Sequence, residues 1–168
     1  MLVDEKMDHG LLIAQRKVVI PNWPPRGREL DRLLSHEGGK LLAEILTLWV
    51  RGEIEPQEQK HDVATYSHLF KKEDGLLDLV SGNPYQNLLK IRAFEGWPGT
   101  YAFFERNGKR IRVQILDAHL EHGPSTPFDE TQDTSLGVKK LALDIVKPEG
   151  KKEMSYRDFE RWGATAIS

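Results

Sequence analysis

Residues 90–113 read Lys-Ile-Arg-Ala-Phe-Glu-Gly-Trp-Pro-Gly-Thr-Tyr-Ala-Phe-Phe-Glu-Arg-Asn-Gly-Lys-Arg-Ile-Arg-Val, and they decide the fold of the second half of the chain. An apolar helix end runs into a Trp97-Pro98-Gly99 corner, and a strand follows over Thr100–Glu105. Asn107-Gly108 then turns the chain into a second strand over Arg110–Leu116. Asn-Gly between two alternating runs is the strongest short-range hairpin signal, because both turn residues must take positive φ. The stretch carries six basic residues (Lys90, Arg92, Arg106, Lys109, Arg110, Arg112) against Glu95 and Glu105. On a chain of formal net charge −2, this local excess is the pattern of a nucleic-acid contact surface. The same charges also suit a solvated strand face that protects a sheet edge from aggregation.

Working outward, 168 residues suffice to bury a real core in one domain or two small ones. A slightly acidic chain is not a globally basic nucleic-acid binder, so any polyanion contact must be local. The absence of cysteine removes disulfides, thiolate metal sites and a cysteine nucleophile. Charged residues at 30% and a mean hydropathy of −0.52 describe a soluble protein. No apolar run approaches the ~20 residues needed to span a bilayer. Met1–Gly10 lacks the apolar core of a signal peptide, which makes the cytoplasm the expected location.

Leu2-Val3 resembles the stub of a strand, and Leu11–Ile20 is a strand candidate. A folded chain rarely starts with so short a strand, so the simplest expectation is that something precedes it. Leu30, Leu33, Leu34, Leu41, Leu42, Ile45, Leu46 and Trp49 recur at helical spacing, with Gly38-Gly39 expected to break or bend the stripe into two helices. Glu53–Asp62 is charged and nearly free of apolar residues, as in a linker. Ala64–Phe70 is a strand candidate, Asn83-Pro84 opens a helix, Glu121–Ser135 reads as a mobile loop and Val138–Val146 as a strand. Ser155-Tyr156-Arg157-Asp158 resembles a capping box that opens a last helix. His119 and His122 share a face only on a helix, and without cysteine or clustered carboxylates no metal site is expected.

Several of these segments carry a resemblance. Asp4–Gln15, Ala64-Thr65-Tyr66, Lys72-Glu73-Asp74-Gly75, Ile91-Arg92-Ala93-Phe94, Trp97-Pro98-Gly99 and Pro148–Ser155 occur in one order and at one spacing. In both they resemble the C-terminal half of methionyl-tRNA formyltransferase. The resemblance implies an α+β chain in which the end of a Rossmann-like α/β catalytic domain (1–52) and a linker (53–63) precede a C-terminal OB-like β-barrel (64–168). It also implies formyl transfer from 10-formyltetrahydrofolate to the amino group of methionine on initiator tRNA, in a monomeric enzyme with no membrane partner. Between Leu120 and Val138 the chain departs from the family pattern with an acidic, Ser/Thr-containing segment, which implies an abbreviated or open barrel.

By the same resemblance Asp8 matches the family's catalytic aspartate, which orients a histidine and raises its basicity. Read without the family, Asp8 before glycine is a turn residue. Formyl transfer needs a neutral amine, a route for its proton and donors aimed at the developing oxyanion. The family's Asn and His in those roles are expected upstream of Met1, and His9 does not occupy the histidine position. The chain alone is therefore expected to be inactive and to contact tRNA. The candidate tRNA contacts are Lys71, Lys72, Lys90, Arg92, Lys109, Arg110, Arg112, Lys151 and Lys152, with Arg92 also readable as a structural bridge. Trp97 and Pro98 read as a core anchor rather than a base-stacking platform. Two alternatives stand beside this reading: a stand-alone RNA-binding or interaction module without catalysis, and a fragment of a sugar-nucleotide formyltransferase.

Overall fold

In the computed structural model, which describes residues 1–122 and 138–167, the Asn107-Gly108 turn has the geometry its residues demand. Asn107 takes φ 51° and Gly108 φ 73°. The turn joins β1 (Thr100–Arg106) to β2 (Lys109–His122), whose register runs from Arg106↔Lys109 to Thr100↔Ile115. β3 (Val138–Pro148) pairs with β2, β4 (Met154–Ser155) with β3, and β5 (Thr165–Ile167) with β1, all antiparallel. The loop expected over Glu121–Ser135 begins as strand at Glu121 and His122, and residues 123–137 lie outside the described residues.

The strand order is β4-β3-β2-β1-β5. This overturns the OB-like barrel: among the described residues the outer strands are bonded only to β3 and β1, never to each other. Closure removes both edges of a sheet. Here the edges are strands of two and three residues, too short to meet around a barrel. The sheet stays open.

The core of this part is built on one sheet face. Along β1, Thr100, Ala102 and Phe104 are buried, and their partners include Ile115 and Val113 on β2. α3 (Tyr156–Glu160) sets Phe159 edge-on to Phe104 at 5.1 Å. α2 (Pro84–Ala93), capped by the Asn83 side chain accepting from the Gln86 N–H, contributes Leu88 and Ile91. The threonine hydroxyl in this core is satisfied, since Thr100 Oγ1 donates to the Ile115 carbonyl at 2.8 Å. Gly75, which closes the one-turn helix Lys72–Gly75, lies against Gly99, where a Cβ would come within 2.0 Å of the Gly99 carbonyl oxygen.

Four other sequence expectations meet a different structure. Trp97 is not a core anchor: it is 63% exposed, while Pro98 is half-buried. The Gly99 N–H bonds back to the Phe94 carbonyl at 3.1 Å. That bond makes Trp97 the outer tip of the corner, and it is Phe94 that packs, edge-on to Phe70 at 5.0 Å. Ala64–Phe70 forms no strand, and over Leu11–Ile20 there is one bridge, Leu12 with Gln57, beside a single bond from the Leu2 N–H to the Leu11 carbonyl. An extended run becomes a strand only where a neighbour takes its backbone hydrogen bonds. Gly38-Gly39 does not break the helix, because α1 runs unbroken over Gly27–Val50.

The chain divides into two units, Met1–Leu69 and Phe70–Ser168. α1 belongs to the first. Its start is held by the Glu29 carboxylate, which accepts the Arg26 N–H at 3.3 Å. A Lys40–Glu37 ion pair at 2.7 Å spans the glycines. No residue of α1 is fully buried, and Leu34, Leu42, Leu46 and Leu48 stay exposed.

Candidate nucleic-acid interface

The hairpin turn fixes which side chains share a face, since antiparallel partners point the same way. Ala102↔Val113 and Phe104↔Ile111 point into the core. The alternating pairs Tyr101↔Gln114, Phe103↔Arg112 and Glu105↔Arg110 therefore point outward. β3 adds Lys147, opposite Gln114, and β5 adds Ile167, opposite Phe103.

On this outer face the arginines do not follow the charge pattern. Arg110 sits across from Glu105, yet its guanidinium carbon lies 3.6 Å from the centre of the Phe103 ring. The Arg112 guanidinium carbon lies 3.8 Å from the centre of the Tyr101 ring. Each contact joins diagonal neighbours on adjacent strands, and the two rings meet edge to face at 5.7 Å. A guanidinium stacks on an aromatic face through its planarity and its attraction to the ring quadrupole. The Nε of Arg112 is buried and has no hydrogen-bond partner.

The neighbouring turn enlarges the basic surface. The Glu149 N–H donates to the Arg112 carbonyl at 3.0 Å, so the turn carrying Lys151 and Lys152 runs beside the arginine end of β2. Among the described residues, Lys109, Arg110, Arg112, Lys147, Lys151 and Lys152 form no ion pair. Lys109, Arg110, Lys151 and Lys152 are exposed, and Arg112 and Lys147 half-buried. These six cations gather at one end of the sheet.

The remaining candidates do not join them. Lys90 Nζ donates to the Leu76 carbonyl at 3.0 Å. Arg92 ties α2 to β2, with Nη1 3.6 Å from Asp117 Oδ1 and Nη2 donating to the Ala118 carbonyl at 3.5 Å. Lys71 and Lys72 are exposed at the Lys72–Gly75 turn, where the Asp74 carboxylate accepts the Lys71 N–H at 2.7 Å. Lys147, Tyr101 and Phe103 were not singled out in the sequence. Their signal is the register: once the turn is placed at 107–108, Phe103 must face Arg112 and Tyr101 must face Gln114.

Asp8 lies in the other unit, exposed, at φ 56°. The Gln59 side-chain amide donates to the carbonyls of Asp8 (3.0 Å) and Gly10 (2.7 Å), which fixes the loop around it. His9 stacks on His61 with ring centres 3.7 Å apart, and its Nδ1 is 2.9 Å from Asp4 Oδ2. That hydrogen bond holds the Asp4 carboxyl below the usual carboxylate range. His9 is thus engaged with Asp4. Among the described residues there is no cluster of three or more metal-ligating side chains, and no helix is long and apolar enough to cross a membrane.

Comparison with known proteins gives the arrangement a family. Residues 70–161, more than half of the chain, match the formyl transferase C-terminal domain. The chain is 34% identical over 167 residues to the methionyl-tRNA formyltransferase of Roseiflexus sp. (strain RS-1), covering 96% of this chain and 50% of that protein. It is 33% identical over 161 residues to that of Chloroflexus aurantiacus, covering 92% and 51%. It is 30% identical over 164 residues to that of Myxococcus xanthus, covering 95% and 51%. The chain thus spans about half the length of these relatives. With an open sheet in the place of the family's C-terminal domain, this chain belongs to the methionyl-tRNA formyltransferase family.

Proposed function

We propose that this chain is the tRNA-holding half of a methionyl-tRNA formyltransferase, in which formyl passes from 10-formyltetrahydrofolate to the amino group of methionine on initiator tRNA. The observation that carries the proposal is a cluster of six cations that, among the described residues, have no carboxylate partner, on a chain of net charge −2. Lys109, Arg110, Arg112, Lys147, Lys151 and Lys152 contact phosphates, which positions the RNA without reading its sequence. Lys71 and Lys72, exposed but apart from this cluster, are a separate place for phosphate contact. Lys90 and Arg92 serve the fold.

In this reading residues 1–52 are the end of the catalytic domain, and Asp8 orients a histidine supplied by the upstream half. The exposed apolar residues of α1 support that assignment, since they suit a helix that packs on a larger sheet. Formyl donor and amine react only when held within near-attack distance. A chain with Asp8 but without the residues that grip them loses that proximity.

Filter binding of initiator tRNA to the full chain at low and high salt tests the holding role. Affinity should fall steeply with salt. Replacing Lys109, Lys151 and Lys152 by glutamine should flatten the log–log slope by about 0.7–0.9 for each phosphate that is no longer neutralised. Salt-indifferent affinity would refute the holding role. Formylation of Met-tRNA by the chain alone should not exceed a protein-free control.

A further inference from the structure

The two arginine–aromatic pairs do something that phosphate contact does not require. A lysine or arginine that serves only as a charge extends into solvent, or pairs with the nearest carboxylate. Arg110 has Glu105 directly across the ladder and instead sets its guanidinium carbon 3.6 Å from the centre of the Phe103 ring, while that of Arg112 lies 3.8 Å from the centre of the Tyr101 ring. In each pair the guanidinium and the ring are in van der Waals contact on the outer face of the sheet, and Arg110 is the more exposed of the two cations. A guanidinium in contact with a ring keeps its in-plane N–H donors, which phosphate oxygens can accept.

We propose that the Arg110–Phe103 and Arg112–Tyr101 pairs are stacking platforms for unpaired nucleobases of RNA. The proposal rests on the tRNA-holding role and names the part of the RNA that this face takes. A base has a π-face whatever its identity, and aromatic rings and guanidinium planes are the surfaces on which splayed bases stack.

Spacing selects the unpaired state. Phe103 and Tyr101 are two residues apart on β1, which separates them by about 6.6–6.8 Å along the strand. Stacked bases of one strand rise only about 3.4 Å. The two rings are also turned 87° to one another with centres 5.7 Å apart, so bases held on both platforms cannot be stacked on one another. A duplex, whose base faces are hidden in its own stack, can offer this surface its phosphates only. Gln114 and Lys147, adjacent on the same face, supply an amide and an ammonium at the border of the platforms. The amide can pair with base edges and the ammonium with the backbone.

The test compares a short unstructured single-stranded RNA with a blunt RNA duplex of equal length, titrated into the full chain at one ionic strength and followed by fluorescence anisotropy. The wild-type chain should prefer the single strand. The variant R110K/R112K keeps both charges but removes both planes, so its single-strand affinity should fall at least about tenfold. Its duplex affinity should change much less, so the preference collapses. Phe103→Leu, which removes one ring and leaves every cation, should lower single-strand affinity in the same direction. Circular dichroism of each variant checks that the sheet is retained. Equal affinity of the wild-type chain for both probes, or equal losses for both in R110K/R112K, overturns the platform proposal and leaves the tRNA-holding role standing. Failure of the wild-type chain to bind either probe overturns both.

Discussion

At the scale of single residues, His119 shows how a surface group acquires a defined titration. Its Nδ1 lies 2.8 Å from Asp144 Oδ2. The hydrogen bond to Asp144, with smaller help from Glu121 and Asp117, raises the His119 pKa above the ordinary 6.5. A raised folded-state pKa contributes stability that is fully present below the unfolded value and is lost as pH rises through the folded value. The side chain is more than half exposed, so solvent screening keeps that contribution small. An NMR titration should place His119 above 6.5 in the native chain and near 6.5 in Asp144→Asn. A native value at or below 6.5 would contradict the pair. Burial separates two aromatic residues in the same way. Phe104 is fully buried, and Phe104→Ala should cost about 3–5 kcal/mol in urea unfolding. Trp97→Ala, at a site 63% exposed, should change stability by no more than about 0.5 kcal/mol. The sequence could not separate these two, because Trp97 has apolar flanks in the chain and its exposure is set by the folded corner, where the Gly99 N–H bonds back to the Phe94 carbonyl.

At the scale of elements, backbone approach and helix entropy make the glycines differ. Gly75 has no room for a methyl group against the Gly99 carbonyl, so Gly75→Ala should destabilise the sheet unit by about 1–3 kcal/mol. Gly38 and Gly39 lie inside α1 with open space around them. Replacing both by alanine should raise the thermal midpoint of the helix signal in circular dichroism, at about 1 kcal/mol per site. The reading of Gly38-Gly39 as a break failed because a propensity penalty only weakens a helix. The residues on either side form a continuous ladder, and the Lys40–Glu37 pair spans the weak point. The hairpin was legible because its turn residues have few alternatives, and once placed they determine the outer face of the sheet. The strands proposed over Leu11–Ile20 and Ala64–Phe70 were not legible, since local alternation says nothing about whether a partner strand is available. The barrel failed for a related reason: closure depends on the length of edge strands, and those of two and three residues leave no sequence signal.

At the scale of the whole molecule, burial is divided unequally between the two units. The second unit holds the cluster of Leu88, Ile91, Phe104, Val113, Ile115, Val146 and Phe159. The first has a 24-residue helix with no fully buried side chain. A helix draws most of its stability from packing an apolar face, and local opening free energies follow the interactions that opening breaks. The amides of α1 should therefore exchange with solvent deuterium much faster than those of Val113, Ile115 and Val146. In urea the helical signal should fade before the fluorescence change of a W23F/W49F/W97F variant, in which Trp162 beside Phe159 is the one tryptophan left. Coincident transitions would mean that the chain unfolds as one cooperative unit and would contradict this division. The same measurement bears on the proposed function. If α1 packs against an upstream catalytic half, adding that half of the Roseiflexus relative as a separate polypeptide should slow exchange along α1, most strongly around Leu34, Leu42 and Leu46. Exchange at Val113 and Ile115 should stay unchanged. Protection of the sheet without protection of α1 would place the contact elsewhere and remove the support that the helix gives to the assignment of residues 1–52.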